Sequence, residues 1–256
     1  MADHPFTAQE IFDQGRSHRA RLGFVILATD RTSEADLPAM APEGVGVHFS
    51  RIGISGDITA ENLKSMESSI TGAASLILPD EGVDALCFHC TSGSLLMGEE
   101  KVMDALAAPE NAAFCTTVLT AVTEALKALR ITRFSLVTPY LQDITDALKG
   151  HFEGLGFSVP RTRGIGLSRD TEIARVKPGH IADLAARADH PDSQAIFISC
   201  TGLRSVEVID ALEQRLEKPV ITSSQAAMWW MLRLAGVRDC RQGYGALFDH
   251  IDKRVT

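Results

Sequence analysis

The sequence predicts an α/β fold made of two similar halves, each a parallel sheet with helices on both faces. Two observations predict it. Short β-branched apolar runs alternate with longer helical patterns along the chain. The runs then recur in the same order about 110 residues later.

In chain order, the runs at 22–28 (LGFVILA), 45–49 (VGVHF), 84–89 (DALCFH) and 112–116 (AAFCT) read as strands. A helix is expected over 59–77 and another over 99–107. The second half repeats the scheme. Helix 117–130 leads to strand 133–138 (RFSLVT), helix 141–154, a short strand at 157–159 and helix 171–187. Strand 194–199 (QAIFIS), helix 204–217, strand 219–222 (PVIT) and helix 223–235 complete it.

Four blocks carry the duplication. ALCFHCTSGS (85–94) matches AIFISCTGLR (195–204), so Cys90 and Cys200 lie 110 residues apart, as do the strand ends at Asp30 and Tyr140. RIGISGD (51–57) echoes GIGLSRD (164–170), and AFCTTVLTAVTEALKALRI (113–131) echoes VITSSQAAMWWMLRLAGV (220–237). No Pro-, Gly- or Ser-rich linker divides the halves. The expected division is a first βα domain of 1–116 joined by a C-terminal helix within 223–256, and a second domain of 117–222.

Composition narrows the function. The 256 residues are 45% hydrophobic and 23% charged, so a sizeable core is available. A net charge of −8 without any basic run argues against nucleic acid or an anionic membrane as partner. The N-terminus has no apolar stretch of signal-peptide type, and no apolar run is long enough to span a bilayer, so a cytoplasmic protein is expected. Its five cysteines (87, 90, 115, 200 and 240) are then free thiols. Cys87 and Cys90 form a C-x-x-C, but no second pair or His pair completes a site, and no metal is expected.

In parallel α/β sheets, ligands bind beyond the carboxyl ends of the strands. The polar loops there are ATDRTSE (28–34) and CTSGS (90–94) in one half, TPYLQ (138–142) and CTGLRS (200–205) in the other. If the halves face each other, all four converge on one cleft. In CTSGS, Thr91 and Ser92 offer hydroxyls, Gly93 allows close backbone approach, and the following helix start offers N–H groups that should favour a Cys90 thiolate. A lone motif of this kind also fits a buried strand-end cysteine with helix caps. CTGLRS repeats the chemistry with Cys200, Thr201 and a permissive Gly202. Two thiols across a cleft suit a reaction in which one takes a proton or adds to the substrate and the other delivers a proton to the opposite face. The hydroxyls and N–H groups would hold the carbanion or enediolate oxygen. No cofactor is required.

CTSGS, CTGLRS and SSQAAMWWMLR (223–233) resemble the maleate cis–trans isomerase and arylmalonate decarboxylase branch of the aspartate/glutamate racemase superfamily. The resemblance runs from Leu22 to about Tyr244 and is nearest to the ectoine-utilisation proteins of that branch. It implies two pseudo-symmetric Rossmann-like domains with the active site at their interface. Cys90 would be the nucleophile or first base and Cys200 the acid or second base. Thr91, Ser92 and Thr201 would bind a carboxylate, with Gly202 beside them, and Tyr140 would donate to the carboxylate or enediolate. Decarboxylases of the branch are expected to keep only the second-half cysteine, so two cysteines imply an isomerase or racemase.

One departure bears on the substrate. Where the isomerases carry an Asn that binds a carboxylate, this chain has Asp30 in LATDRTSE. A carboxylate there would repel the second carboxylate of maleate and attract an ammonium or amide. An amino or acylamino acid, such as ectoine-derived diaminobutyrate, is then the expected partner. Alternatively, Asp30 caps the following turn and Arg31 neutralises it. His89 should point away from Cys90, because side chains alternate along a strand. Arg204 could bind a carboxylate or form a salt bridge. Trp229 and Trp230 read as core or as the subunit interface of a homodimer or homotetramer. Three functions stay open: a two-cysteine isomerase or racemase, a one-cysteine decarboxylase, and a non-catalytic catabolite-binding protein.

Overall fold

The computed structural model describes residues 11–54 and 59–249. Its first half runs β1 (Ala20–Leu27), α1 (Ser33–Met40), β2 (Val45–Ile52), α2 (Ala60–Ser65), α3 (Glu67–Ala74), β3 (Val83–Phe88), α4 (Thr91–Met97), α5 (Glu99–Ala107) and β4 (Ala112–Thr117). The second runs α6 (Val118–Ala128), β5 (Phe134–Thr138), α7 (Gln142–Gly154), β6 (Thr162–Gly164), α8 (Asp170–Ile173), α9 (Pro178–Ala188), β7 (Ala195–Ile198), α10 (Ile209–Leu216) and β8 (Val220–Thr222). The helices α11 (Ser223–Leu234) and α12 (Gly245–Asp249) follow.

The strands form two four-stranded sheets of orders β2-β1-β3-β4 and β6-β5-β7-β8. Every ladder is parallel. The same order therefore occurs twice. In each sheet the chain steps out to one side of the first strand and then back to the other. That reversal opens a crevice beyond the carboxyl ends of β1 and β3, and of β5 and β7. The central strands are covered on both faces, which is why they read as continuous apolar runs rather than alternating ones. Phe24, Val25 and Ile26 of β1 and all four residues of β7 are fully buried.

The helices α6 and α11, which carry the matched blocks, pack directly on each other. Each starts in the same way. Thr117 closes β4 and its hydroxyl accepts the Thr120 N–H; Thr222 closes β8 and accepts that of Gln225. The Gln225 side chain returns a bond to the Thr222 backbone, completing a capping box. Helix α11 also rests on β1, β3 and α1, elements of the first sheet.

Several boundaries differ from the sequence-based expectation. The strand expected at 157–159 is a single bridge between Ser158 and Arg133, and the paired strand is β6. Phe157 and Val159 face the core, but Pro160 lacks an N–H and the ladder resumes only beyond it. The helix expected over 171–187 is two, with α9 begun by Pro178 at its first turn. The helix expected over 59–77 divides at Met66. Within 223–256, α11 ends at Leu234 and a separate α12 follows. Helix α4 begins directly at Thr91 and gives way to α5 at Gly98, whose φ is +90°. The tail of the RIGISGD block (55–57), residues 1–10 and residues 250–256 lie outside the described residues. Among the described residues no helix is long and apolar enough to cross a membrane.

Candidate active site

Cys90 stands two residues beyond the end of β3 and Cys200 two residues beyond the end of β7, equivalent places in the two sheets. Asp30 follows β1, and Tyr140 follows β5. The duplication thus aims four loops at one point. Cys90, Cys200, Asp30, Thr91, Ser92, Tyr140, Thr201 and Gly202 all line a single pocket, together with Leu27, Thr29, Arg31, Asp170 and Ala174. The cavity they enclose measures about 20 Å³, room for about one water.

Cys90 occupies the N-cap of α4, with extended backbone. Its Sγ accepts the Gly93 N–H at 3.4 Å and lies 3.8 Å from the Ser92 Oγ. Glycine at 93 leaves room for this approach. A Cβ there would come within 3.0 Å of Phe88 and 3.1 Å of both the Cys90 sulfur and Met66. These donors favour a thiolate, as expected from the helix start. Burial opposes them more strongly, and the Asp170 carboxylate adds to it, so the thiol is pushed up to about 12. At Cys90, burial thus outweighs the donors of the helix start.

Cys200 is held differently. Its φ is +100°, a region that residues with a Cβ rarely enter. Its N–H donates to the Ser223 Oγ at 3.0 Å, and that hydroxyl also lies 2.9 Å from the Thr91 Oγ1. Ser223, the first residue of α11, thereby ties the two cysteine motifs together. A second tie runs the other way. The Thr201 hydroxyl donates to the His89 carbonyl at 3.3 Å, and the Thr201 carbonyl accepts from Thr32 Oγ1 at 2.7 Å. Burial and then Asp170 push the Cys200 thiol well above its ordinary value, against the lowering effect of the neighbouring Tyr140 hydroxyl and Gly202 N–H. Tyr140 is itself buried and raised well above the usual phenol range by the same desolvation.

The two acids in the wall differ. Asp30 Oδ1 accepts the N–H groups of Thr32 and Ser33, each at 2.9 Å, and Oδ2 accepts the Ser33 hydroxyl at 2.7 Å. This is the capping geometry of the second reading of Asp30. Arg31 is not its counter-ion among the described residues. Instead Arg51 binds the carbonyls of Leu27, Ala28 and Asp30, each at 3.1 Å, and pairs with Glu34. Asp170 opens α8 and accepts one bond, from the Thr29 hydroxyl at 2.6 Å. Burial raises its pKa despite that bond, and Asp30 raises it further.

Thr29 and Asp170 were not singled out from the sequence. Asp170 ends the GIGLSRD block, so its place in the repeat was visible, but nothing in the apolar pattern aims it at the cleft. Other candidates lie elsewhere. The His89 ring is edge-on to Phe24, with Nε2 3.4 Å from the Ser224 hydroxyl, and burial lowers its pKa to about 4. Arg204 pairs with Glu207 at 2.7 Å, outside the pocket. Trp229 is buried, stacked on Trp230 and covered by the Arg233 guanidinium. Cys87 is buried in β3, Cys115 is half-buried, and Cys240 is exposed.

Comparison with known proteins agrees with this architecture. An arylmalonate decarboxylase of Bordetella bronchiseptica is 38% identical over 138 residues, 53% of this chain and 58% of that enzyme's length. The chain thus matches little more than half of that relative. A maleate isomerase of Pseudomonas putida is 26% identical over 242 residues, 89% of this chain and 96% of the relative. Among solved structures, a liganded mutant of arylmalonate decarboxylase superposes with a TM-score of 0.81 at 30% identity, covering 90% of this chain and 99% of that one. A Nocardia farcinica maleate cis–trans isomerase mutant with a covalently bound succinylcysteine intermediate gives 0.85 at 21% identity, covering 91% and 99%; at that identity the likeness speaks for the fold. The family model described as arylmalonate decarboxylase matches residues 22–248, and the chain belongs to that family.

Proposed function

We propose that this protein is a cofactor-independent isomerase or racemase of a small carboxylic acid, using Cys90 and Cys200 on opposite faces of the substrate. The observation that carries the reading is that both cysteines, from equivalent strand ends, line one pocket with Tyr140. As a thiolate, one cysteine takes the α-proton or adds to the substrate. The carbanion or enediolate is held by the Tyr140 hydroxyl and nearby N–H groups. The other cysteine, as a thiol, returns a proton to the opposite face. The raised thiol pKa values suit this division of labour. A thiolate that is hard to form is a strong base once formed, and its protonated partner stays protonated until it is needed.

The substrate class is an amino or acylamino acid, with two acidic side chains in the pocket wall as its support. We further propose that this acid is a product of ectoine breakdown, a reading supported only by the sequence resemblance to ectoine-utilisation proteins. A second reading is favoured by the 38% identity to an arylmalonate decarboxylase: Cys200 alone would protonate a carbanion left by departing CO₂. A thermal-shift screen over amino, diamino and dicarboxylic acids finds the ligand. Proton exchange at its α-carbon in D₂O is the expected result. Release of CO₂ would support the decarboxylase, and stabilisation without either reaction would support a binding protein.

A further inference from the structure

We infer that Asp170 is the specificity-determining residue of this site, holding a cationic group of the substrate beside the two cysteines. The inference rests on the two-cysteine reading above and names the side chain that selects the substrate.

Three observations carry it. First, Asp170 lines the same pocket as Cys90, Cys200 and Tyr140. Second, it is under-committed. Its one hydrogen bond among the described residues is from a neutral hydroxyl, Thr29, to one oxygen, and no described Lys, Arg or His pairs with it. Asp30, the other acid in the wall, has both oxygens engaged in capping. Third, Asp170 is the charged group that most opposes ionisation of both thiols. An ammonium seated on Asp170 would cancel that opposition at both cysteines, whereas a second carboxylate would reinforce it. The bond from Thr29 in the first half to Asp170 in the second is the contact such an ammonium would replace. Substrate recognition and thiol activation are thereby linked through one carboxylate. A substrate with a positive group promotes the thiolate that acts on it, and a plain dicarboxylate does not.

The test compares the wild type with D170N, using 2,4-diaminobutyrate and maleate as probes in calorimetry and iodoacetamide as a thiol probe in their absence. The wild type is expected to bind diaminobutyrate more tightly than maleate. D170N should lose tenfold or more in diaminobutyrate affinity and gain in maleate affinity. In D170N, alkylation of Cys90 and Cys200 at fixed pH, mapped by mass spectrometry, should accelerate several-fold. If D170N does not fold, Asp170→Ser carries the same comparison. Tighter binding of maleate by the wild type, unchanged diaminobutyrate affinity in the variant, or unchanged alkylation of both cysteines would overturn the inference. None of these readouts needs turnover. D170N can therefore fail while the cysteine variants still abolish α-proton exchange, and the reverse outcome would sink the two-cysteine reading alone.

Discussion

Cys200 holds a backbone conformation that glycine would adopt without strain, at φ +100°. Holding a side chain there costs about 1–3 kcal/mol. The surroundings that enforce it are visible: the Ser223 hydroxyl takes the Cys200 N–H, and Thr201 is clasped from both sides by His89 and Thr32. The strain lets the thiol face the pocket at the end of a buried strand. Cys200→Gly should therefore be more stable than Cys200→Ala, by about 1–2 kcal/mol, in urea unfolding, although both lack the thiol. Equal midpoints would show that the conformation is unstrained. Both cysteines were legible in the sequence, because a Cys-Thr pair at matched strand ends is a strong repeat signal. Two things were not legible. A sequence shows that Asp30 follows a strand, but not that its oxygens turn back to the Thr32 and Ser33 N–H groups. Nor does it show that burial outweighs the helix start at Cys90.

Helix α4 is the element that sets Cys90. Its first turn must pass close to the sulfur, and Gly93 makes that possible. Gly93→Ala would press a methyl against Phe88, Cys90 and Met66, side chains that must each move by a few tenths of an ångström. Overpacking of this kind costs about 1–3 kcal/mol. The variant should unfold at lower denaturant and show altered Cys90 alkylation; unchanged behaviour in both would mean that the turn is loosely packed. At this scale the sequence was most informative where an apolar run ended in a capping residue, as at Thr117 and Thr222. It was least informative in the stretch from Phe157 to Lys177. There Pro160 interrupts a strand pattern and Pro178 restarts a helix, so the three-residue β6 and the single-turn α8 leave no periodic signal. Asp170 went unnoticed for that reason. Helix α1 was missed too, because it is short and contains Pro38.

Across the whole molecule, two sheets of identical order meet with their crevices facing, and the equivalent helices α6 and α11 pack on each other. The repeat made this architecture legible, since each half alone leaves open loops that only the other can cover. One consequence of the join is the burial of His89 between Phe24 and α11. Its imidazole has a folded pKa near 4 against an ordinary 6.5. The unfolded chain thus binds the extra proton first, and stability contributed by the neutral ring falls as pH drops from 6.5 to 4, by about 3 kcal/mol. Urea midpoints should decline over that window, and His89→Asn should flatten the decline; a variant with the wild-type slope would assign acid sensitivity to other groups. The central claim, that Cys90 and Cys200 serve opposite faces of one substrate, is tested most directly by α-proton exchange in D₂O. The measurement follows, by NMR, separate enantiomers of the acid that best stabilises the protein. The wild type should exchange both. Cys90→Ser and Cys200→Ser should each slow interconversion by about a hundredfold or more, and any residual exchange should fall on opposite enantiomers in the two variants. Interconversion at the wild-type rate in either variant, or residual exchange of the same enantiomer in both, would contradict the account.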